Sequence, residues 1–71
     1  MKRIYYIVEL ANEGYYSLFH GELCPTIFMQ YATQFSSIGL VERLMLLEGI
    51  EHYTIMKIVD DKVERDFNIT K

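Results

Sequence analysis

A single helical segment sets the strongest constraint on how this chain folds. Residues 38–47 carry apolar side chains at helical spacing, and Ser36 or Ser37 can cap the first backbone amides through a side-chain oxygen. Gly49 can then adopt the left-handed conformation that ends many helices. The sequence therefore predicts one helix that begins after the serines and ends near Leu47.

The predicted helix has a broad apolar face. At about 100° per residue, most of its apolar side chains fall on one arc. They are Ile38, Leu40, Val41, Leu44, Met45 and Leu47. Leu46 falls at the centre of the opposite, polar face, where an isolated domain would place a charge. We expect Leu46 to be an exposed anchor for a partner, unless the helix rolls or the C-terminal tail covers it.

The remainder of the chain has the alternating pattern of β-strands. Strands are predicted at residues 3–10, 15–20, 26–35 and 52–59. Turns are predicted at residues 11–14 and 60–62, where Asn, Gly and Asp tolerate positive φ. The alternation at residues 63–69 predicts a fifth, short strand or a tail that orders only against a partner.

These elements predict a small α+β domain. We expect an antiparallel sheet of four or five strands with a single helix on one face, in the order β-β-β-α-β with or without a final β. A chain of 71 residues has too little apolar surface for two cores, so residues 1–71 form one domain. A domain of this size buries only about 60% of its unfolded surface, and its stability is marginal.

The predicted strands carry apolar side chains on both faces, although one helix covers only one face of a sheet. An antiparallel sheet with one solvated face alternates apolar and polar residues instead. The surplus apolar face therefore predicts a surface for self-association or for a protein partner. With the helix anchor, its proposed members are Tyr5, Ile7, Tyr15, Phe19, Tyr53, Ile55 and Leu46.

The charge of the chain disfavours nucleic acid as a partner. Ten acidic residues against seven basic ones give a net charge of −3, whereas a non-specific grip on nucleic acid requires a basic stripe. The alternative hypothesis is a module that stacks bases on its sheet tyrosines, with Lys2, Arg3 and Lys57 on phosphates. The tyrosines in question are Tyr5, Tyr6, Tyr15, Tyr16, Tyr31 and Tyr53.

No catalytic motif, metal site or cofactor site is predicted. The single cysteine, Cys24, excludes an internal disulfide and fits a reducing, cytoplasmic compartment. With His20 and His52 it supplies three of the four ligands that zinc requires, so we interpret all three as structural or surface residues. The acidic group Asp60, Asp61, Glu64 and Asp66 lacks the spacing of a calcium loop and reads as a solvated turn.

The N-terminal segment and the apolar runs predict neither a signal peptide nor a membrane span. The apolar run that follows Lys2 and Arg3 ends at Glu9 and alternates as a strand does. No apolar stretch approaches the roughly 20 residues of a membrane-spanning helix. We expect a soluble protein.

Four sequence motifs together resemble a group of known proteins. They are a Lys/Arg-Ile-Tyr-Tyr-Ile-Val opening, Gly14-Tyr15-Tyr16, Ala32-x-x-Phe35-Ser36-Ser37, and Gly49-Ile50-Glu51-x-Tyr53-x-Ile55-x-Lys57. The arrangement resembles small bacteriophage-encoded proteins that share a strand-rich sheet carrying one helix. The crowded leucines depart from the Glu and Ala that such proteins commonly have in the helix. The resemblance implies a phage accessory protein that binds a host or phage protein, acting in the cytoplasm of the host cell, and it supplies no catalytic residue.

The first hypothesis from the sequence is thus a non-enzymatic, homodimeric interaction protein that modulates or inhibits another protein. The nucleic-acid-binding module is the second hypothesis. A small enzyme or enzyme subunit has the least support.

Overall fold

The computed structural model describes residues 3–71, except for the side chains of Arg65 and Asp66. Within that part of the chain the elements are β1 (Ile4–Leu10), β2 (Gly14–Tyr15), β3 (Leu18–Phe19), β4 (Glu22–Leu23), a 3₁₀ turn (Met29–Tyr31), α1 (Ile38–Glu48), β5 (Tyr53–Val59) and β6 (Lys62–Thr70). This confirms the predicted α+β class with an antiparallel sheet and one helix. None of the helical segments in these residues is both long and apolar enough to cross a membrane.

Four strands form the main sheet in the order β2-β1-β5-β6. β1 and β5 pair antiparallel along their whole length, from Ile4 opposite Val59 to Leu10 opposite Tyr53. β6 pairs with β5 and places Ile69 opposite Ile55. Of the two alternatives for residues 63–69, the structure therefore has the strand.

The helix has the predicted start and stop. Ser37 is the N-cap, and its side-chain oxygen accepts a hydrogen bond from the backbone N–H of Leu40 at 3.3 Å. Gly49 has a φ of 70° and donates its N–H to the carbonyl of Leu46 at 3.2 Å. The helix includes Glu48, one residue beyond the predicted end.

The second predicted strand, residues 15–20, is interrupted at Tyr16. β2 pairs with β1, whereas β3 pairs only with β4 in a separate two-stranded hairpin. Tyr16 donates its N–H to the carbonyl of Val8 at 2.8 Å, and its ring is fully buried. Tyr15 packs on the opposite face of the sheet from Tyr16. These two neighbouring residues therefore contribute one side chain to each face before the chain leaves the sheet.

The third predicted strand, residues 26–35, is wrong. Only its two ends reach the sheet, through isolated antiparallel bridges between Thr26 and Tyr15 and between Phe35 and Tyr6. The 3₁₀ turn lies between these bridges. The apolar residues of this segment pack against a face of the sheet and do not extend the sheet. Alternation of apolar and polar residues does not by itself distinguish these two arrangements.

The sheet has an apolar cluster on each face. The cluster beneath α1 contains Val8, Leu10, Tyr16, Phe35, Val41, Met45, Tyr53 and Ile55. The opposite cluster contains Ile7, Ala32 and Ile58, with Tyr5, Tyr15, Met29, Met56 and Val63 packed against it. The surplus apolar face is therefore covered in part by the chain itself, because the segment around the 3₁₀ turn crosses it.

Candidate interaction surfaces

The seven side chains predicted to form an interaction surface do not lie together. Three are buried inside the chain, namely Ile7, Tyr53 and Ile55. Two are half-buried against the cluster away from the helix, namely Tyr5 and Tyr15. The remaining two, Phe19 and Leu46, are 64% and 81% exposed. Only these last two are freely available to a partner.

The strand register explains why Tyr53 and Ile55 are buried. They stand opposite Leu10 and Val8 of β1, so their side chains lie on the helix side of the sheet. The sequence alternation of β5 was assigned to the wrong face, because both of its faces are apolar. A one-residue change of register exchanges the two faces of a strand.

A first exposed apolar surface lies on the segment that leaves the sheet after β2. We call it the hairpin–turn surface, and its exposed members are Leu18, Phe19, Leu23, Ile27, Phe28 and Tyr31. Leu18 pairs with Leu23 on one face of the β3–β4 hairpin, and Phe19 pairs with Glu22 on the other face. Phe19 lies next to a two-residue turn in which His20 has a φ of 52°, and the two rings pack edge to face with centroids 4.2 Å apart. Phe28 and Tyr31 pack edge to face in the same way at 5.9 Å.

Hydrogen bonds hold this segment in one conformation although its side chains are exposed. Ser17 donates its hydroxyl to the carbonyl of Tyr31 at 2.9 Å and accepts the N–H of Cys24 on its own carbonyl at 2.8 Å. Tyr15 and Thr26 exchange two backbone hydrogen bonds of 2.7 and 3.0 Å. The hairpin is thus tied to the 3₁₀ turn on one side and to the sheet on the other.

The hairpin–turn surface is nearly free of charge. Between residues 18 and 31, Glu22 is the one side chain with a formal charge at neutral pH when His is neutral. Interface centres share this character, with aromatic side chains enriched and charged side chains depleted. The surface therefore suits a partner that is itself apolar at the point of contact.

A second exposed apolar surface lies along one side of the helix. We call it the leucine flank, and it consists of Phe35, Leu40, Leu44 and Leu47. Together with Arg43 these side chains line an open groove of about 370 Å³. Leu40 and Leu47 are 50% and 76% exposed, although both belong to the apolar arc of the predicted helix. Only Val41 and Met45 of the helix are fully buried.

Leu46 lies on the other side of the helix from the leucine flank. It lines a separate shallow groove with Ile50 and Tyr53. The same groove contains Glu42 and Lys71, whose carboxylate oxygen and ammonium nitrogen are 3.3 Å apart in an exposed ion pair. The C-terminal residue thus comes close to Leu46 without covering it.

The tyrosines do not form an open stacking platform. Tyr16 and Tyr53 are buried in the cluster under the helix, and Tyr6 packs beside it against Phe67 with ring centroids 5.8 Å apart. Tyr31 is exposed but lies on the hairpin–turn surface.

The basic residues assigned to phosphates are engaged elsewhere or outside the described residues. The Arg3 guanidinium donates to the side-chain oxygen of Gln34 at 2.8 Å and lies 5.3 Å from the centroid of the Tyr5 ring. The Lys57 ammonium lies 5.6 Å from the centroid of the Phe67 ring. Lys2 lies outside the described residues. No observation on these side chains favours the nucleic-acid hypothesis.

The thiol and imidazole side chains occupy exposed, separate positions. Cys24 follows β4, His20 is in the hairpin turn, and His52 precedes β5. Among the described residues, no group of three or more His, Cys, Asp or Glu side chains is placed to hold a metal ion. His52 lines an open groove of about 600 Å³ at the end of the sheet, where the hydroxyls of Thr54 and Thr70 are 3.2 Å apart.

Of the predicted acidic turn, Asp60 and Asp61 lie between β5 and β6, whereas the backbone of Glu64 and Asp66 belongs to β6. Asp60 and Asp61 have φ angles of 50° and 65°, and Asp60 accepts the backbone N–H of Arg3 on its carboxylate at 3.0 Å. The Tyr5 hydroxyl donates to Asp61 at 3.4 Å, and burial, followed by the nearby Asp61 charge, raises the pKa of Tyr5 above its usual value. The side chain of Asp66 lies outside the described part of the chain.

Sequence reasoning missed most of the exposed apolar side chains. Those not assigned to the interaction surface are Leu18, Leu23, Ile27, Phe28, Tyr31, Leu40, Leu47 and Ile4. One signal for the first five was present, since residues 18–31 combine large apolar side chains with Gly21, Pro25 and almost no charge. Such a segment breaks strands yet remains apolar, which is typical of a docking loop.

Comparison with protein-family models, with curated proteins and with solved structures gives no match to this chain.

Proposed function

We propose that this protein functions without catalysis, by binding another protein through the hairpin–turn surface. The observation that carries the proposal is the ordered exposure of three aromatic side chains, Phe19, Phe28 and Tyr31, on a segment with a single formal charge. Aromatic anchors in an uncharged centre are what protein-binding surfaces share.

The ordered conformation of the segment that carries the hairpin–turn surface supports a binding role for its exposed apolar side chains, as opposed to imperfect packing. The bonds from Ser17 to Tyr31 and from Cys24 to Ser17 fix the segment before any partner arrives. A surface that is already ordered loses little conformational entropy when it binds. Apolar side chains displayed at such low entropic cost are suited to be the anchors of an interface.

The partner that fits this surface has an apolar pocket or groove for Phe19 and its neighbours. From its resemblance to small phage-encoded proteins, we include in the proposal that the partner is a host or phage protein and that binding modulates or inhibits it. A cytoplasmic location in the host cell and a phage origin belong to the same proposal.

Affinity purification from the source cells tests the proposal when the chain is compared with two matched variants. Phe19→Ser removes an aromatic anchor that is 64% exposed, whereas Leu46→Ser removes an apolar side chain on the helix that is 81% exposed. A true partner is recovered with the native chain and with Leu46→Ser, and its recovery falls at least about tenfold with Phe19→Ser, as for loss of an interface anchor.

The recovered partner is then purified and titrated against the three chains by calorimetry. The same order of affinities is expected. The hairpin–turn surface is not the binding surface if no recovered protein binds the native chain more strongly than Phe19→Ser. The same conclusion follows if Leu46→Ser, and not Phe19→Ser, fails to bind the partner.

A further inference from the structure

We infer that a second copy of this chain packs against the leucine flank, so that the protein is a two-fold symmetric dimer. The inference is independent of the proposed partner-binding function, because it uses the helix and not the hairpin–turn surface. Its starting point is an incompletely covered helix, in which two of eleven residues are fully buried and Leu40 and Leu47 face solvent.

The leucine flank is continuous with the hydrophobic core. Phe35 belongs to the buried cluster under the helix, and Leu44 packs against that cluster. Leu40 and Leu47 extend the same apolar surface outward into the groove. A core that continues to the surface in this way resembles an obligate dimer interface, which is like a domain core cut in half.

The flank is also self-complementary. A two-fold axis brings the same surface of both copies together, so any strong charge on it would meet its own copy. Arg43 is the one charged side chain that lines the groove. Its long aliphatic stem can lie along the leucines while its guanidinium stays in water. Among the described residues, no acidic side chain lines this groove, and the carboxylate of Glu48 at the end of the helix accepts a hydrogen bond from the Tyr16 hydroxyl at 3.0 Å.

The exposed area of the single chain supports a second copy as the occupant. The chain exposes 5241 Å², whereas a monomeric protein of 8.4 kDa exposes about 4,600 Å². The excess, about 600 Å², is close to the roughly 800 Å² that each partner loses in an interface of standard size. An interface of standard size on the flank would remove about this much area from each copy.

Leu46 provides a matched control on the same helix. It is the most exposed large apolar side chain of the described residues at 81%, and it lies outside the flank with Ile50 and Glu42. Leu47→Glu and Leu46→Glu therefore introduce the same charge at neighbouring, exposed positions. Only the first places it in the proposed interface.

Sedimentation velocity from about 1 to 300 µM tests the inference with the full chain. The native protein and Leu46→Glu are expected to sediment as dimers, and the dissociation constant of Leu47→Glu is expected to rise at least about tenfold. Phe19→Ser, which alters the hairpin–turn surface, is expected to remain dimeric, so the failure of one proposal is distinguishable from the failure of the other.

A second measurement covers the case in which Leu47→Glu does not fold. The unfolding midpoint of a dimer rises with protein concentration, whereas that of a monomer does not. The native midpoint is expected to rise over this concentration range, and the milder Leu47→Ala is expected to lower that dependence. A monomeric native protein, a species larger than a dimer, or equal dissociation of Leu46→Glu and Leu47→Glu would each overturn the inference.

Discussion

Tyr16 donates a hydrogen bond from its hydroxyl to the carboxylate of Glu48, with an oxygen–oxygen distance of 3.0 Å. The bond joins the residue that follows β2 to the last residue of the helix, two points that are 32 residues apart in the chain. This hydrogen bond explains why an acidic residue, Glu48, occurs at a helix position that falls on the apolar arc. The fully buried Tyr16 ring needs a partner for its hydroxyl at the edge of the core.

Removing the hydroxyl is expected to destabilise the fold moderately. Tyr16→Phe should lower the free energy of unfolding by about 1 kcal/mol, the usual net value of a hydrogen bond. Glu48→Gln keeps an acceptor and should lose less. A double-mutant cycle of Tyr16→Phe with Glu48→Ala, followed by urea denaturation, measures the coupling. Additivity within about 0.3 kcal/mol would show that the two groups do not interact.

The same pair predicts a loss of stability at alkaline pH. Burial, followed by the hydrogen bond to Glu48 and its negative charge, raises the pKa of Tyr16 to about 12 from 10.0. Because the unfolded chain loses this proton first, the contribution to stability is complete below pH 10 and disappears as the pH rises through about 12. Denaturation at several pH values should show a shallower alkaline loss for Tyr16→Phe than for the native chain.

The matched control for that pH series is Tyr31→Phe, because the Tyr31 ring is exposed on the hairpin–turn surface. This variant should keep the native alkaline profile. If Tyr16→Phe and Tyr31→Phe give the same profile, the alkaline loss does not originate at Tyr16.

Two glycines with positive φ are predicted to differ in their tolerance of a side chain. At Gly14, with φ of 89°, an added Cβ would lie 2.6 Å from the carbonyl oxygen of Thr26, whereas at Gly49, with φ of 70°, it would meet nothing within 4 Å. Gly49→Ala should cost about 1 kcal/mol for backbone strain alone, and Gly14→Ala at least about 2 kcal/mol. Thermal denaturation compares them, and equal costs would contradict the close approach to Thr26.

The turn between β5 and β6 offers a stabilising substitution. Asp60 and Asp61 both have positive φ in a two-residue hairpin turn, a geometry that favours glycine at the second position. Asp61→Gly relieves the left-handed strain and loses only the long, exposed hydrogen bond of 3.4 Å from the Tyr5 hydroxyl, so it should raise the free energy of unfolding by about 0.5 kcal/mol.

Asp60→Gly is the control for this turn, because Asp60 also accepts the backbone N–H of Arg3 at 3.0 Å. It should give no gain. Chemical denaturation of both variants decides the point, and a gain from Asp60→Gly that equals or exceeds that from Asp61→Gly would refute it.

Local signals in the sequence were sufficient for the helix and for the strands that pair side by side. Ser37 and Gly49 act within their own turn of chain, and helical periodicity is unaffected by what covers the helix. The strands at residues 4–10 and 53–59 follow from alternation and β-branched side chains in the same way. The sequence by itself therefore determined the fold class, the helix with both of its caps, and the turns at residues 11–14 and 60–62, but not the positive-φ turn at His20 and Gly21.

Only the tertiary structure decided which apolar faces are covered. The sequence shows apolar residues on both faces of β1 and β5, but Met29 and Ala32 cover one of those faces from a segment that resembles a strand by alternation. Conversely, Leu40 and Leu47 repeat with the apolar arc of the helix, yet they line an open groove beside Phe35 and are 50% and 76% exposed. Burial depends on contacts between distant segments, whereas periodicity reports only the neighbours along the chain.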